Sequence, residues 1–344
     1  MYLNASLGRH FASTALKLIG HPWYENMTGM SSQNLFNKLV AESTKKLSNT
    51  LAHHVEHAGY GAILSRLMTG LNLSLALKSN YFFQINSFYK VDDLFEINVK
   101  QSLDDAEKSK IIVWDFFRDT WNAPPQVRAD HQYPSCPIIT PKEPTRHQWC
   151  AVLAHAICGS PKPLLTNVIE GFKKKSGWKS YDIHVGLHVR RGDKNTECPY
   201  ISTENYLRYL NEILRCHADK KIAVFLATDD PSCIGEIKAK ISPNISLLWD
   251  ADEQRYNNYN AKMVADSIEL GLQESVTAAK NICLLGECNY VIGMSTAQFT
   301  WIGGLLSVYK QNMDTDRHIM INPFTGKRGH WSTTYGFDYS NDNE

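Results

Sequence analysis

Two arginines and a lysine stand within five residues at the end of a short apolar run, in His188-Val-Arg-Arg-Gly-Asp-Lys194. Residues 183–189, IHVGLHV, have the β-branched, apolar character of a buried strand. Clustered cations where a strand meets its loop are suited to holding a phosphate. Arginine presents a planar fork of donors and a charge that does not titrate away. The expectation is a phosphorylated ligand gripped at the carboxyl end of a parallel strand by Arg190, Arg191 and Lys194. Two blander readings stand beside it. Arg191-Gly192-Asp193 is the adhesion tripeptide, though here it follows an interior type of strand, and Arg191 could simply pair with Asp193 in a solvated loop.

Two further strand ends carry chemistry. Ala227-Thr-Asp-Asp-Pro-Ser232 follows the apolar run 222–228. Asp230 there suits a helix cap with Pro231 at the first helical position. That leaves Asp229 at the strand end, able to orient an arginine of the first loop or to bind sugar hydroxyls if the two strands are neighbours. Gly293-Met-Ser-Thr-Ala-Gln298 comes after a strand and before a helix. Hydroxyls and backbone N–H groups at a helix N-terminus suit an anion, and Ser295 also suits ordinary N-capping. A cluster at 53–57, His-His-Val-Glu-His, reads most simply as a polar surface run, and a metal there is not expected.

The elements that must position these residues alternate. Strands are expected at 183–189, 222–228, 245–249 and 289–293, with helices near 203–216, from Pro231, 266–285 and 296–309. Such alternation predicts a parallel sheet covered on both faces, binding its ligand at the strands' carboxyl ends. Upstream, Gly59-Tyr60-Gly61 precedes a helical run with Ile63, Leu67, Leu71 and Leu75 on one face, and strands follow at 81–85 and 111–114. This predicts a βαβ opening with glycines where backbone must approach a ligand. Residues 1–50 read as polar and helix-prone, 120–147 as loop, 149–157 and 161–175 as helices, and the domain boundary is expected at 176/177.

Bulk properties narrow the class. The 344 residues are 43% apolar and 21% charged with a formal net charge of +1, a globular composition without the broad basic field of a nucleic-acid binder. No run approaches the roughly 18 apolar residues needed to span a bilayer. The N-terminus lacks the basic start and apolar core of a signal peptide. A cytoplasmic location is therefore expected, with the Golgi lumen as the alternative. The eight cysteines show no zinc-knuckle spacing and are expected to be mostly reduced and buried.

Taken together, HVRRGDK, Thr196-Glu197, FLATDDPS and STAQ resemble the α1,6-fucosyltransferase group. It comprises the core-fucose and bacterial nodulation enzymes, with protein O-fucosyltransferases as more distant relatives. The likeness is strongest over 183–305, with an echo at Gly59 and Gly61. It implies a GT-B architecture, two facing α/β domains with the donor in the Rossmann-like second one. It also implies a GDP-fucose donor, a glycan acceptor, no metal or other cofactor, and inversion at the anomeric carbon. Carried over by position, Arg190 grips the β-phosphate, aided by the backbone at Thr296 and Ala297, and His188 contacts the guanine. Asp193, Lys194, Tyr206, Asp229 and Asp230 fall on active-site positions, and Glu197 is the candidate general base. The sequence departs from the family at Asn281, where the family reads guanine with an aspartate, and at Ala297, where it has a serine. The other readings are a transferase using a different nucleotide sugar, or a sugar- or nucleotide-binding protein without catalysis.

Overall fold

Of the polar, helix-prone first fifty residues, those the structure describes supply one helix and the start of one strand. Ser32–Ser43 forms helix α1, whose first turn is closed by the Ser31 hydroxyl accepting from the Asn34 N–H at 3.3 Å. Asn49–Glu56 forms strand β1. The structure is a computed structural model that describes residues 30–45, 47, 49–56, 58–76, 79–102, 110–115, 145–192, 194, 198–255 and 268–329. Tyr60–Ala76 (α2) carries the chain from β1 to Asn80–Asn86 (β2), which lies parallel to β1. Lys110–Asp115 (β3) adds on β1's other edge, also parallel, and Thr145–Cys158 (α3) packs against α2. The βαβ opening is thus present, with Ile63, Leu67 and Leu71 sealed from solvent.

The surface reading of 53–57 is corrected by strand periodicity. β1 runs through His53, which is 1% exposed and flanked by buried Ala52 and Val55. The Tyr81 hydroxyl donates to the Leu67 carbonyl at 3.1 Å and stands 2.9 Å from His53 Nδ1, which supplies the other hydrogen bond. His53 so placed is a core side chain, bonded through Nδ1, rather than a surface group. His57 lies outside the described residues, and among those described no three metal-ligating side chains gather. Asn72, which heads one of four Asn-x-Ser/Thr triplets, is likewise buried and accepts from the Trp149 indole at 3.0 Å.

The second half alternates as expected. Pro163–Ser176 (α4) ends at Gly177 in the left-handed conformation. Then come Ile183–Val189 (β4), Thr203–Cys216 (α5), Ile222–Thr228 (β5), Ser232–Lys240 (α6), Ser246–Leu248 (β6), Ile268–Glu287 (α7), Tyr290–Met294 (β7) and Gln298–Lys310 (α8). His318–Ile321 (β8) and Arg328–Gly329 (β9) complete a sheet of order β6-β5-β4-β7-β8-β9, parallel except for the last pair. β4 and β5 are buried almost throughout, as strands covered on both faces must be. α5 shows why its sequence folds as it does: Tyr206, Leu207, Leu210 and Ile213 repeat at helical spacing and all face the core.

Two compact units result. One takes the described residues up to Ser87 and those of Glu96–Ser160, the other Phe88–Phe95 and those of Pro161–Trp331. The chain passes between units at 87/88, 95/96 and 160/161, and α4 packs on α7 within the second unit. Each unit is α/β with a parallel sheet. From β4 the chain builds outward through β5 to β6, then returns to the far side of β4 as β7 and β8. The reversal lies between β4 and β7, and ligands of open α/β sheets bind outside the strand ends at such a reversal.

Candidate active site

The loops after β4, β5 and β7 meet at this end of the sheet. β4 and β5 are hydrogen-bonded neighbours to their last residues, with Val189 opposite Thr228. The next residues in each chain are therefore brought side by side. Arg190 Nη1 forms an ion pair with Asp229 Oδ2, and the Arg191 N–H donates to Asp229 Oδ1 at 2.9 Å. One carboxylate thus fixes both the side chain of one arginine and the backbone of the next. Gly192 is required beside it. Its φ is +26°, and a Cβ there would stand 2.3 Å from Asp229 Oδ2. The turn is closed by the Tyr200 hydroxyl donating to the Gly192 carbonyl at 2.8 Å and by the Lys194 N–H donating to the Arg191 carbonyl at 2.8 Å.

Arg191 points elsewhere with its guanidinium. It makes a two-pronged bond to Glu236, 2.8 and 2.7 Å, and donates to Thr203 Oγ1 at 3.1 Å and Asp230 Oδ2 at 3.4 Å. The bonded arginine pushes Glu236 down to about 2, and Arg191 is raised in turn. The expected pairing partner Asp193 lies outside the described residues, as does Glu197. Asp230 accepts from the Ser232 N–H at 2.8 Å and the Ser232 hydroxyl at 2.7 Å just ahead of α6, whose N-cap position falls on Pro231 rather than on Asp230 as expected. Burial opposes ionisation of Asp230, but these hydrogen bonds and Arg191 outweigh it and hold its carboxyl low. Tyr206 is 1% exposed, with its hydroxyl unpaired among the described residues and pushed up by burial.

On the other side of β4, His188 stands opposite Gly293 of β7. Its ring stacks on Phe299 at 4.8 Å, and its Nδ1 lies 2.6 Å from Thr300 Oγ1 in the first turn of α8. The close approach depends on Gly293, where a Cβ would stand 2.4 Å from Thr300 Oγ1 and 2.5 Å from its Cγ2. Thr300 is β-branched and buried, so it has no room to yield. Gly293→Ala is expected to cost about 1–3 kcal/mol. A thermal melt checks this, and an unchanged midpoint would show that the helix start can shift.

Complete burial, with Arg190 and Lys194 nearby, pushes His188 down to about 3, so it is neutral at pH 7. The unfolded chain takes up this proton below about pH 6.5 and the folded one does not until about 3. Stability from this group is therefore complete above pH 6.5 and lost progressively as pH falls toward 3. Between pH 6.5 and 4.5 the loss is about 2 kcal/mol. The urea midpoint should fall further between pH 6.5 and 4.5 in the wild type than in His188→Gln, and equal falls would contradict the assignment.

The expected cap of α8 is corrected. The N-cap position belongs to Ala297, which has no side-chain cap to give, and Ser295 is fully buried with its N–H spent on the Ile321 carbonyl at 2.9 Å. Thr296 Oγ1 lies 3.4 Å from Cys198 Sγ. The first amides of α8 thus receive no side-chain acceptor from the capping residue, at the helix end that favours an anion.

Asn281 sits on α7, 5% exposed, and its Nδ2 donates to Glu253 Oε1 at 2.9 Å. Lys280 and Arg255 flank the same carboxylate at 3.5 and 3.6 Å. Gly59 and Gly61 belong to the first unit, at the turn from β1 into α2. Gly59 is exposed with open space around it, and Gly61 is buried in the helix's first turn. Sequence reasoning missed Glu236, Thr203, Thr300 and Glu253. Thr300 could have been found one helical turn beyond Thr296; the other three carry no local motif, since their roles come from packing between elements.

Residues 158–302 match the family model described as alpha-(1,6)-fucosyltransferase N- and catalytic domains. Among solved structures, the chain is similar to NodZ alpha-1,6-fucosyltransferase soaked with GDP-fucose, at 16% identity and a TM-score of 0.43, covering 75% of this chain and 92% of that one. A second structure of NodZ, from Bradyrhizobium, is 14% identical with a TM-score of 0.47 over 84% and 98% of the two chains. FUT1 of Arabidopsis thaliana, in complex with GDP, is 10% identical with a TM-score of 0.47 over 86% and 76%. The family match spans β4, β5, β7 and the start of α8, hence all three strand ends assembled above. Residues 158–302, which hold all three strand ends, are thus similar to the N- and catalytic domains of alpha-(1,6)-fucosyltransferases.

Proposed function

We propose that the second unit binds GDP-fucose and transfers its L-fucosyl group to a hydroxyl of a glycan, with inversion, α1,6 linkage and no metal. The observation that carries the reading is the Arg190–Asp229 pair at the ends of β4 and β5, with the start of α8 on the other side of β4, beyond the reversal to β7. Breaking the bond between the sugar and a diphosphate leaves negative charge on the departing oxygen. A fixed guanidinium and the first amides of a helix can stabilise that charge where other enzymes use a cation. His188, neutral at pH 7, offers its ring as a hydrogen-bonding and stacking group rather than as a second cation. The acceptor hydroxyl is a poor nucleophile, and Glu197 is assigned to take its proton, a role worth on the order of 10²–10⁴ in rate. Attack on the face opposite the diphosphate inverts the anomeric carbon. Acceptor recognition is assigned to the first unit.

One observation favours a second reading of the base. The Asn281 amide nitrogen is engaged by Glu253, so its oxygen is the group left for a ligand. A single amide oxygen pairs less well with the two N–H donors of guanine than a carboxylate does. A different nucleotide sugar would then occupy the same phosphate site. Calorimetric titration with GDP, UDP, CDP and ADP, in EDTA, separates the readings. GDP-selective binding without metal supports the proposal. Preference for another nucleotide keeps the site and changes the donor. Binding only when a divalent cation is supplied removes the metal-independent mechanism, and no nucleotide binding leaves a chain without this donor chemistry.

A further inference from the structure

Glu236 belongs to none of the motifs read from the sequence, yet it is the principal partner of an arginine in the most basic loop of the second unit. It lies on α6, and its two oxygens take Arg191 Nη1 and Nη2 at 2.8 and 2.7 Å. Thr203, at the start of α5, donates to Glu236 Oε2 at 2.7 Å and accepts from Arg191 Nη2 at 3.1 Å, closing a three-membered ring of hydrogen bonds. A two-pronged bond between arginine and carboxylate sets orientation as well as attraction. Arg191 is thereby anchored to two helices, while its own N–H holds Asp229, whose other oxygen holds Arg190.

The geometry points to Glu236 as a positioning residue for the transferase reaction: it keeps the Arg191 guanidinium off Asp229, so that Asp229 serves Arg190 alone. The inference rests on the donor reading proposed above. Two adjacent arginines and one strand-end carboxylate are a degenerate arrangement, because either guanidinium satisfies Asp229. Glu236 removes the degeneracy by giving Arg191 a better partner on the far side. Its side chain is 40% exposed, so the pair contributes little to global stability. Its effect falls on which cation faces the diphosphate, and small misplacement of a charge-stabilising group lowers turnover steeply.

Removing the charge also leaves Arg191 with the longer 3.4 Å contact to Asp230 as its remaining carboxylate pairing, and frees its guanidinium to turn toward Asp229 and the phosphates. Ground-state attraction for a diphosphate is then retained or increased while the alignment of Arg190 is lost. The experiment is Glu236→Gln and Glu236→Asp in the full chain, read by GDP calorimetry, steady-state kinetics with GDP-fucose, and thermal melts. Glu236→Gln should lower kcat about tenfold or more with the GDP Kd unchanged or a few-fold tighter and the melting midpoint nearly unmoved. Glu236→Asp, which keeps the charge, should recover part of kcat. The double variant Arg191→Ala/Glu236→Gln should be no slower than Arg191→Ala alone, since residues acting through one another are not additive. Loss of GDP affinity and kcat together with a fall in melting midpoint would make Glu236 a merely structural residue and overturn the inference. So would an unchanged kcat, or fully additive effects. If the wild type itself neither binds GDP nor turns over GDP-fucose, the donor reading fails, and the inference falls with it rather than by its own test.

Discussion

Replacing Arg190 with alanine is expected to lower kcat/KM for the nucleotide-sugar donor by about three orders of magnitude while leaving the protein folded. The size follows from what the side chain is asked to do. A single preorganised donor aimed at developing charge is worth about 10²–10³ in rate, and here the donor carries a full charge. The fold should survive because Arg190 lies beyond the last residue of β4 and its side chain is a third exposed, outside the packed core of Val185, Leu187, Val224 and Leu226. Its partner Asp229 is 12% exposed and keeps the Arg191 N–H as a second hydrogen bond, so the loop retains an anchor. Arg190→Lys should recover little. An ammonium is a point charge, and it cannot hold Asp229 and a phosphate through separate prongs of one rigid fork. Steady-state kinetics beside circular dichroism decide the matter, and unchanged turnover in a folded Arg190→Ala would remove the phosphate-gripping role.

Much of the second unit was legible because strand burial and helical periodicity are local properties. IAVFLAT has no polar alternation, and in IHVGLHV the alternating His184, Gly186 and His188 are buried as well, because both faces of β4 and β5 are covered. The neighbour relation between them was not legible and stood only as a condition, which the register of Val189 opposite Thr228 supplies. That register turns two separate motifs into one Arg190–Asp229 pair. What stayed hidden has a common cause. β8 is only four residues long, too short to show a strand's alternation, so the turn residues Asn312, Asp314 and Asp316 ahead of it were not enough to mark it. The cluster at 53–57 carries surface-type residues, and only the burial of His53 beneath α2, against Tyr81, gives it away. Ser295 has the composition of a cap but lies two residues too early, directly after β7 ends at Met294, and the helix start falls on Ala297. Asn281 was read as a ligand contact from its position in a motif. Its Glu253 partner comes from a loop 28 residues earlier, a pairing no local spacing specifies.

Asp229→Asn is expected to reduce turnover by about two orders of magnitude, and to do so through Arg190. The substitution keeps shape and removes charge. Oδ1 can still accept from the Arg191 N–H, as it does at 2.9 Å, but the atom that faces Arg190 becomes an NH2. Two donors then oppose each other at the strand end. The guanidinium, a third exposed, relieves the clash by turning toward water rather than by unfolding the loop. The folded protein should persist, because Gly192 and Tyr200 close the turn independently of the carboxylate charge. Asp229 has a second possible duty, accepting from hydroxyls of the sugar, and the two duties predict different arithmetic. If Asp229 acts by orienting Arg190, the double variant Arg190→Ala/Asp229→Asn is no slower than Arg190→Ala, because the residue being oriented is already gone. If it binds the sugar directly, the losses multiply and the double variant falls by about a further hundredfold. Donor KM sharpens the distinction: a lost hydroxyl contact raises KM for GDP-fucose without touching GDP affinity, whereas a misdirected Arg190 weakens GDP as well.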